Sequence, residues 1–138
     1  MPENIVLRPA SRKDIATMRK LMEKEKDLFP DNDPWSVGYT EGIVANGIVL
    51  VAEMDGRVAG FIAGEKLLGG GTMIWLRIIE PSLRGLGLGT MLSDYFEQIL
   101  RDQNTKWMIS YAKPKVANFH KKRGAFIGGE YLEIFKEF

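Results

Sequence analysis

Apolar positions along the 138-residue chain fall into short blocks whose period switches between two and about 3.6, and those switches predict the elements. Ile5, Val6, Leu7 and Arg8 read as a short strand closed by Pro9. Ser11 and Asp14 have the spacing of a helix start, a hydroxyl N-cap with an acid three residues on. Ile15, Met18 and Met22 then recur at helical spacing, as do Leu21 and Leu28, which predicts a first helix to about residue 29. Residues 30–36, rich in Pro, Asp and Asn, predict a loop, and residues 37–45 a short second helix closed by Asn46 and Gly47.

Residues 48–53 form an apolar strand, Asp55-Gly56 a hairpin turn, and residues 58–66 the returning strand. Gly69, Gly70 and Gly71 mark a looser turn. Residues 72–80 follow with little polar beyond Arg77, the pattern of an internal strand. The clearest helix presents Leu88, Met91, Leu92, Tyr95, Phe96, Ile99 and Leu100 as one apolar face. Residues 106–112 predict another strand. Pro114 suits the first turn of a last helix and Gly124 its end. Phe126-Ile127 and residues 131–135 predict two closing strands broken by Gly128-Gly129. Three strands able to form a meander, followed by strand–helix–strand, give an α/β class: a mixed sheet with helices on its faces. The length suits one domain over residues 1–138.

Composition narrows the chemistry by exclusion. A formal net charge of +1 makes no electrostatic case for nucleic acid or an anionic membrane. There is no cysteine, so disulfides, thiolate metal sites and a cysteine nucleophile are out, and His120 as the single histidine leaves no histidine-rich metal site. No apolar run approaches the roughly 18 residues of a membrane span, and the first residues do not form a signal peptide. The expected location is the cytoplasm.

The segment Arg84-Gly85-Leu86-Gly87-Leu88-Gly89-Thr90 changes the picture most. It joins an apolar strand to the N-terminus of an amphipathic helix, an arrangement that presents backbone N–H groups to a phosphate. Glycines cost roughly 1 kcal/mol each inside a helix, so three of them imply close approach of the backbone to something. A nucleotide-triphosphate loop needs GxxxxGK[ST], which does not occur, and a GxGxxG reading from Gly85 places Thr90 where the last glycine belongs. Arg-x-x-Gly-x-Gly is met by Arg84, Gly87 and Gly89.

That segment, with its Ile79-Glu80-Pro81 lead-in, resembles the acetyl-CoA motif of the GNAT superfamily of N-acetyltransferases. Residues 114–126, from Pro114 through Phe119, His120, Lys121 and Gly124 to Phe126, are similar to that family's C-terminal pattern NPxxxxFYxKxGF. The two motifs lie about thirty residues apart, the span of a strand–helix–strand unit. The resemblance implies a three-layer acyl-CoA N-acyltransferase fold and acetyl-CoA as cosubstrate, with no metal. It implies that Arg84, Gly85, Leu86, Gly87, Leu88, Gly89 and Thr90 cradle the pyrophosphate. It further implies that the strands before and after the cradle helix splay apart, so that the backbone near Ile78 and Ile79 pairs with the pantetheine arm.

The chain departs from the family where Lys113 replaces the usual Asn before the second motif and His120 replaces the usual tyrosine. That tyrosine commonly protonates the departing thiolate, and an imidazole near its reference pKa of about 6.5, partly charged at neutral pH, can do the same. The nucleophile must be a neutral amine. A lysine-like amine is deprotonated about one part in 2,500 at pH 7, a penalty of roughly 4.6 kcal/mol, whereas an α-amine pays about 1 kcal/mol. A carboxylate relay therefore helps, and Glu80, Glu65 and Glu53 are its candidates, Glu80 being nearest the cradle in sequence. Without cysteine, direct transfer is the simpler mechanism.

The resemblance implies an acceptor that is a primary amine of a small molecule or a peptide. Residues 106–112 lack the glutamate that protein N-terminal acetyltransferases of this superfamily often carry in that strand, which weakens the peptide-terminus reading. Asp31, Asn32, Asp33, Pro34 and Trp35 offer acids and an aromatic for a cation, or simply make a turn. Lys113, Lys115, Lys121, Lys122 and Arg123 form a basic cluster that suits the 3′-phosphate of CoA or a solvated helix face. The alternative function is a non-catalytic acyl-CoA-binding or regulatory module. A nucleic-acid-binding protein using the basic cluster is opposed by the near-zero net charge. An exposed edge strand near the C-terminus would allow a homodimer.

Overall fold

The computed structural model describes residues 4–25, 34–112, 114–132, 134 and 136, with the side chains of residues 34–37 left aside. Five strands form one sheet in the order β1 (Ile5–Pro9), β2 (Ile48–Met54), β3 (Arg57–Lys66), β4 (Gly71–Ile79), β5 (Trp107–Ser110). The first four are mutually antiparallel; β5 runs parallel to β4. A parallel neighbour needs a crossover, and α3 (Leu88–Asp102) supplies it. The β2–β3 hairpin turns on Asp55 and Gly56, both at positive φ, as a two-residue turn of this hand requires.

Helices cover both faces. On one, α1 (Ile15–Glu23) and α2 (Pro34–Asn46) pack Met18, Leu21, Met22 and Ile43 against Val49, Val51, Phe61, Leu76 and Ile78. On the other, Leu92, Phe96 and Leu100 of α3 pack against Leu50, Ala52 and Ile62. Leu92 and Phe96 are fully buried, and a side chain of that size contributes about 1.5–3 kcal/mol by leaving water. Met91 and Tyr95, expected on the same apolar face, are more than a third exposed. The start of α1 is held by Asp14, which takes two hydrogen bonds from Arg8 at 2.9 Å and one from the Ser11 N–H at 2.7 Å.

Four expectations need correction. The first helix ends at Glu23, not near residue 29, because Lys24 and Glu25 turn into i→i+3 bonds where the sequence becomes a charge run; residues 26–29 lie outside the described residues. The second helix begins at Pro34, whose fixed φ suits a first turn, so only residues 30–33 of the expected loop remain, also outside the described residues. The strand expected at residues 106–112 is four residues long. The two closing strands are absent among the described residues: Phe126, Ile127, Tyr131, Leu132 and Ile134 lie exposed without strand pairing. The last helix is a single turn at Pro114–Val116 followed by α4 (Ala117–Lys122), ended by Gly124 at φ +94.

Candidate functional site

The sheet opens where β4 and β5 part. Their pairing runs from Gly71 and Trp107 to Ile74 and Ser110 and stops there, while β4 continues to Ile79. Ser110 closes the paired region by donating its hydroxyl to the Ile74 carbonyl at 3.2 Å. Beyond it one edge of β4 faces a cavity of about 640 Å³ instead of a neighbouring strand. β4 also carries a bulge: Ile74 pairs with Gly64 and Leu76 with Ala63, leaving Trp75 as the extra residue. A Cβ at Gly64 would come within 2.6 Å of the Met73 carbonyl oxygen, so glycine is what lets the strands close up beside the bulge.

The glycine loop forms one end of this cavity. Pro81–Leu83 makes a short 3₁₀ turn, and Gly85 and Gly87 both sit at φ +85, a region L-residues enter at a cost of about 1–2 kcal/mol. Gly87 caps α3, and the first helical bond is from the Met91 N–H to the Gly87 carbonyl at 3.0 Å. The N–H groups of Leu88, Gly89 and Thr90 therefore have no acceptor within the helix. Gly85, Gly87, Leu88, Gly89 and Thr90 all line the cavity, and the space next to Gly85 and Gly87 is open. Leu86 is exposed and outside the lining. Ile78 and Ile79 line it on the β4 edge. Arg84 lines it too, tied to the Ile79 carbonyl at 3.3 Å and to the Glu25 carboxylate.

The far wall comes from α4 and the turn before it: Lys115, Val116, Phe119, His120 and Arg123. Arg77, the polar residue inside the apolar β4 pattern, reaches the cavity from the sheet. It donates to the Ser93 hydroxyl at 3.1 Å and stacks on Phe119 with 4.0 Å to the ring centre. A Cβ at Gly89 would stand 3.2 Å from this guanidinium. Arg123 approaches the same ring at 5.7 Å while pairing with Asp94 at 2.8 Å and with Glu97. Burial pushes the His120 imidazole below its ordinary pKa, and the Arg77 and Arg123 charges push it further the same way. The imidazole therefore holds its proton less readily than a free histidine.

The structure brings the glycine loop, the β4 edge and His120 to one cavity, and places the carboxylate candidates elsewhere. Glu80 accepts from Lys24 at 2.7 Å and from the Ser82 hydroxyl at 3.4 Å; the Lys24 contact holds its pKa down, and it does not line the cavity. Glu53 binds Arg8 at 2.7 Å on the opposite side of the sheet order. Glu65 accepts from the Trp75 indole at 2.7 Å and lines a second cavity of about 360 Å³ with Tyr39, Asn46 and Trp75. Within the basic cluster Lys121 and Lys122 are exposed, Lys115 lines the first cavity, Arg123 is committed to α3, and Lys113 lies outside the described residues. The acids Asp31 and Asp33 also lie outside them. Sequence reading missed Arg77, Ser93 and Phe119 as site residues. The isolated arginine in an apolar strand was the available signal for Arg77.

Residues 15–125 match the model of the acetyltransferase (GNAT) family. An uncharacterized N-acetyltransferase of Methanocaldococcus jannaschii is 33% identical over 88 residues, 64% of this chain and 54% of that protein. An uncharacterized N-acetyltransferase, ycf52, of Pyropia yezoensis is 31% identical over 72 residues, 52% of this chain and 41% of that protein. The chain thus spans about half the length of the curated relatives it matches. The aminoglycoside acetyltransferase AAC(6')-Iy, solved with a CoA-linked bisubstrate analogue, superposes with a TM-score of 0.76 at 17% identity over 98% of this chain and 99% of that one. A transcriptional regulator from Bacillus halodurans superposes at 0.80 with 15% identity, covering 96% and 100%. At such identities the likeness is one of fold.

Proposed function

Because this chain belongs to the acetyltransferase (GNAT) family, we propose that it transfers the acetyl group of acetyl-CoA to a primary amine by direct attack. The observation that carries this reading is the meeting of three features in one cavity: free helix N–H groups at Leu88, Gly89 and Thr90, an unpaired β4 edge, and His120. The fit to the cosubstrate is chemical. Helix N–H groups and the macrodipole favour a phosphate anion, the open space beside Gly85 and Gly87 admits it, and Arg84 and Lys115 add positive charge. The bare edge of β4 offers the backbone of alternate residues, the Ile79 N–H among them, to a pantetheine arm, while the Ile78 groups turn to β3.

When bound, acetyl-CoA supplies an activated acyl group on a thiol leaving group. The protein supplies position and proton transfer. A neutral His120 suits a base better than a resident acid: an imidazole nitrogen accepts the proton the amine sheds as its nitrogen bonds to the acyl carbon, and then returns it to the thiolate that leaves. Glu80 has no part in this reading, since its carboxylate is engaged by Lys24. The test is release of free CoA with a panel of amines, beside calorimetry with acetyl-CoA. Turnover supports the transferase. Binding without turnover by any amine supports the non-catalytic module, and no binding at millimolar cosubstrate removes both.

A further inference from the structure

The second cavity shares a lining residue with the first, Trp75. The bulge makes this possible. Ile74 packs toward α3, yet Trp75 meets Tyr39 of α2 edge-on at 6.4 Å and Leu76 packs on that same α2 side. Two successive residues of β4 thus face α2, and Trp75, which lines both cavities, carries its indole on the α2 side. The second cavity has the chemistry of a cation subsite: the Glu65 carboxylate, the Trp75 and Tyr39 rings and the Asn46 amide. Burial and the Glu65 charge hold the Tyr39 phenol protonated, so the ring remains neutral beside the carboxylate.

We propose that this cavity binds a second positive charge on the acceptor, so that the substrate is a diamine or polyamine-like compound rather than a simple monoamine. This rests on the acetyl-transfer reading above. A carboxylate stabilises a protonated amine, so an amine seated against Glu65 is the wrong one to attack a thioester. The group held there is a second, non-reacting ammonium, and the reacting amine extends past Trp75 into the first cavity, which His120 lines. Holding the remote charge orients the near nitrogen.

The experiment compares kcat/KM for 1,4-diaminobutane and n-butylamine in the wild type and in Glu65→Gln. The glutamine keeps the side-chain volume and an oxygen acceptor for the Trp75 indole, and a thermal midpoint checks folding. The expected result is a preference for the diamine of about tenfold or more, in line with a charged hydrogen bond, which falls toward unity in Glu65→Gln through a rise in KM for the diamine. Equal use of both amines by the wild type, or a preference that survives Glu65→Gln, overturns the proposal. Calorimetric binding of 1,4-diaminobutane separates this from the acetyl-transfer reading. If CoA release fails with both amines, diamine binding that weakens about tenfold in Glu65→Gln upholds the cation subsite alone, and absent or unchanged binding removes it.

Discussion

The Arg77 guanidinium lies 4.0 Å from the centre of the Phe119 ring, so a strand residue and a residue of the last helix meet across the mouth of the cavity. Such a contact is worth about 0.5–2 kcal/mol. Among the described residues it joins α4 to the sheet together with the Arg123 pairs to α3. Phe119→Ala is expected to lower the thermal midpoint by roughly 3–10 °C and to weaken acetyl-CoA binding, because α4 loses its anchor on β4. Phe119→Tyr, which keeps the ring, is expected to retain both. Differential scanning calorimetry with and without acetyl-CoA measures the two effects.

Glycines 38 and 89 predict opposite outcomes for the same substitution. A Cβ at Gly38, in α2, meets nothing within 4 Å. Gly38→Ala is therefore expected to stabilise by about 0.5–1 kcal/mol through the lost freedom of the unfolded chain. A Cβ at Gly89 meets Arg77 at 3.2 Å. Gly89→Ala makes the guanidinium give by a few tenths of an ångström against Ser93 and Phe119 and is expected to raise the Kd for acetyl-CoA up to about tenfold, a loss near 1.4 kcal/mol. Urea denaturation and calorimetric titration check the pair.

The lowered pKa of His120 sets a pH signature. Its base form dominates above a pKa that lies under 6.5, so kcat/KM should fall on the acid side with a midpoint below that value. His120→Gln should lose that acid limb and about 10²–10⁴-fold of rate. A midpoint above 7 would contradict a neutral imidazole. The same shift acts on folding: the unfolded chain binds the proton more readily, so stability rises with pH across the window between the folded pKa and about 6.5 and gains nothing from this group above it.

Asp14 is nearly buried, accepts from Arg8 and Ser11, and has its pKa lowered first by the Arg8 hydrogen bonds. Asp14→Asn strands part of the Arg8 charge and weakens the cap, an expected loss of about 2–4 kcal/mol. Because the folded pKa is depressed, this contribution is present above the unfolded pKa of about 3.9 and is lost as pH falls through the folded one. Chemical denaturation of wild type and variant should show a smaller gap at pH 3 than at pH 7.

The sheet meander, the amphipathic α3 and the glycine loop were legible because each is written locally. Asp55-Gly56 needs positive φ, Leu92 and Phe96 recur at helical spacing, and Gly85 and Gly87 occupy a backbone region that glycine adopts without strain. The closing strands were misread for the opposite reason. Phe126, Ile127 and Tyr131 to Leu132 are apolar enough for strands, but a strand needs a partner in register and the sequence does not show whether one is present. Closeness along the chain did not show the direction of Glu80: its side chain turns to Lys24, a residue 56 positions away.

By itself the sequence determined the cofactor chemistry it resembles, because a phosphate cradle depends on backbone conformation and short spacing, which residue types encode directly. The tertiary structure alone decided which side chains share the cavity. Strand splay leaves the β4 edge bare, burial beside Arg77 and Arg123 lowers the His120 pKa, and the bulge turns Trp75 toward Tyr39 and Glu65. Desolvation, charge proximity and the facing of side chains are sums over residues distant in the chain, and they exist only once the chain has folded.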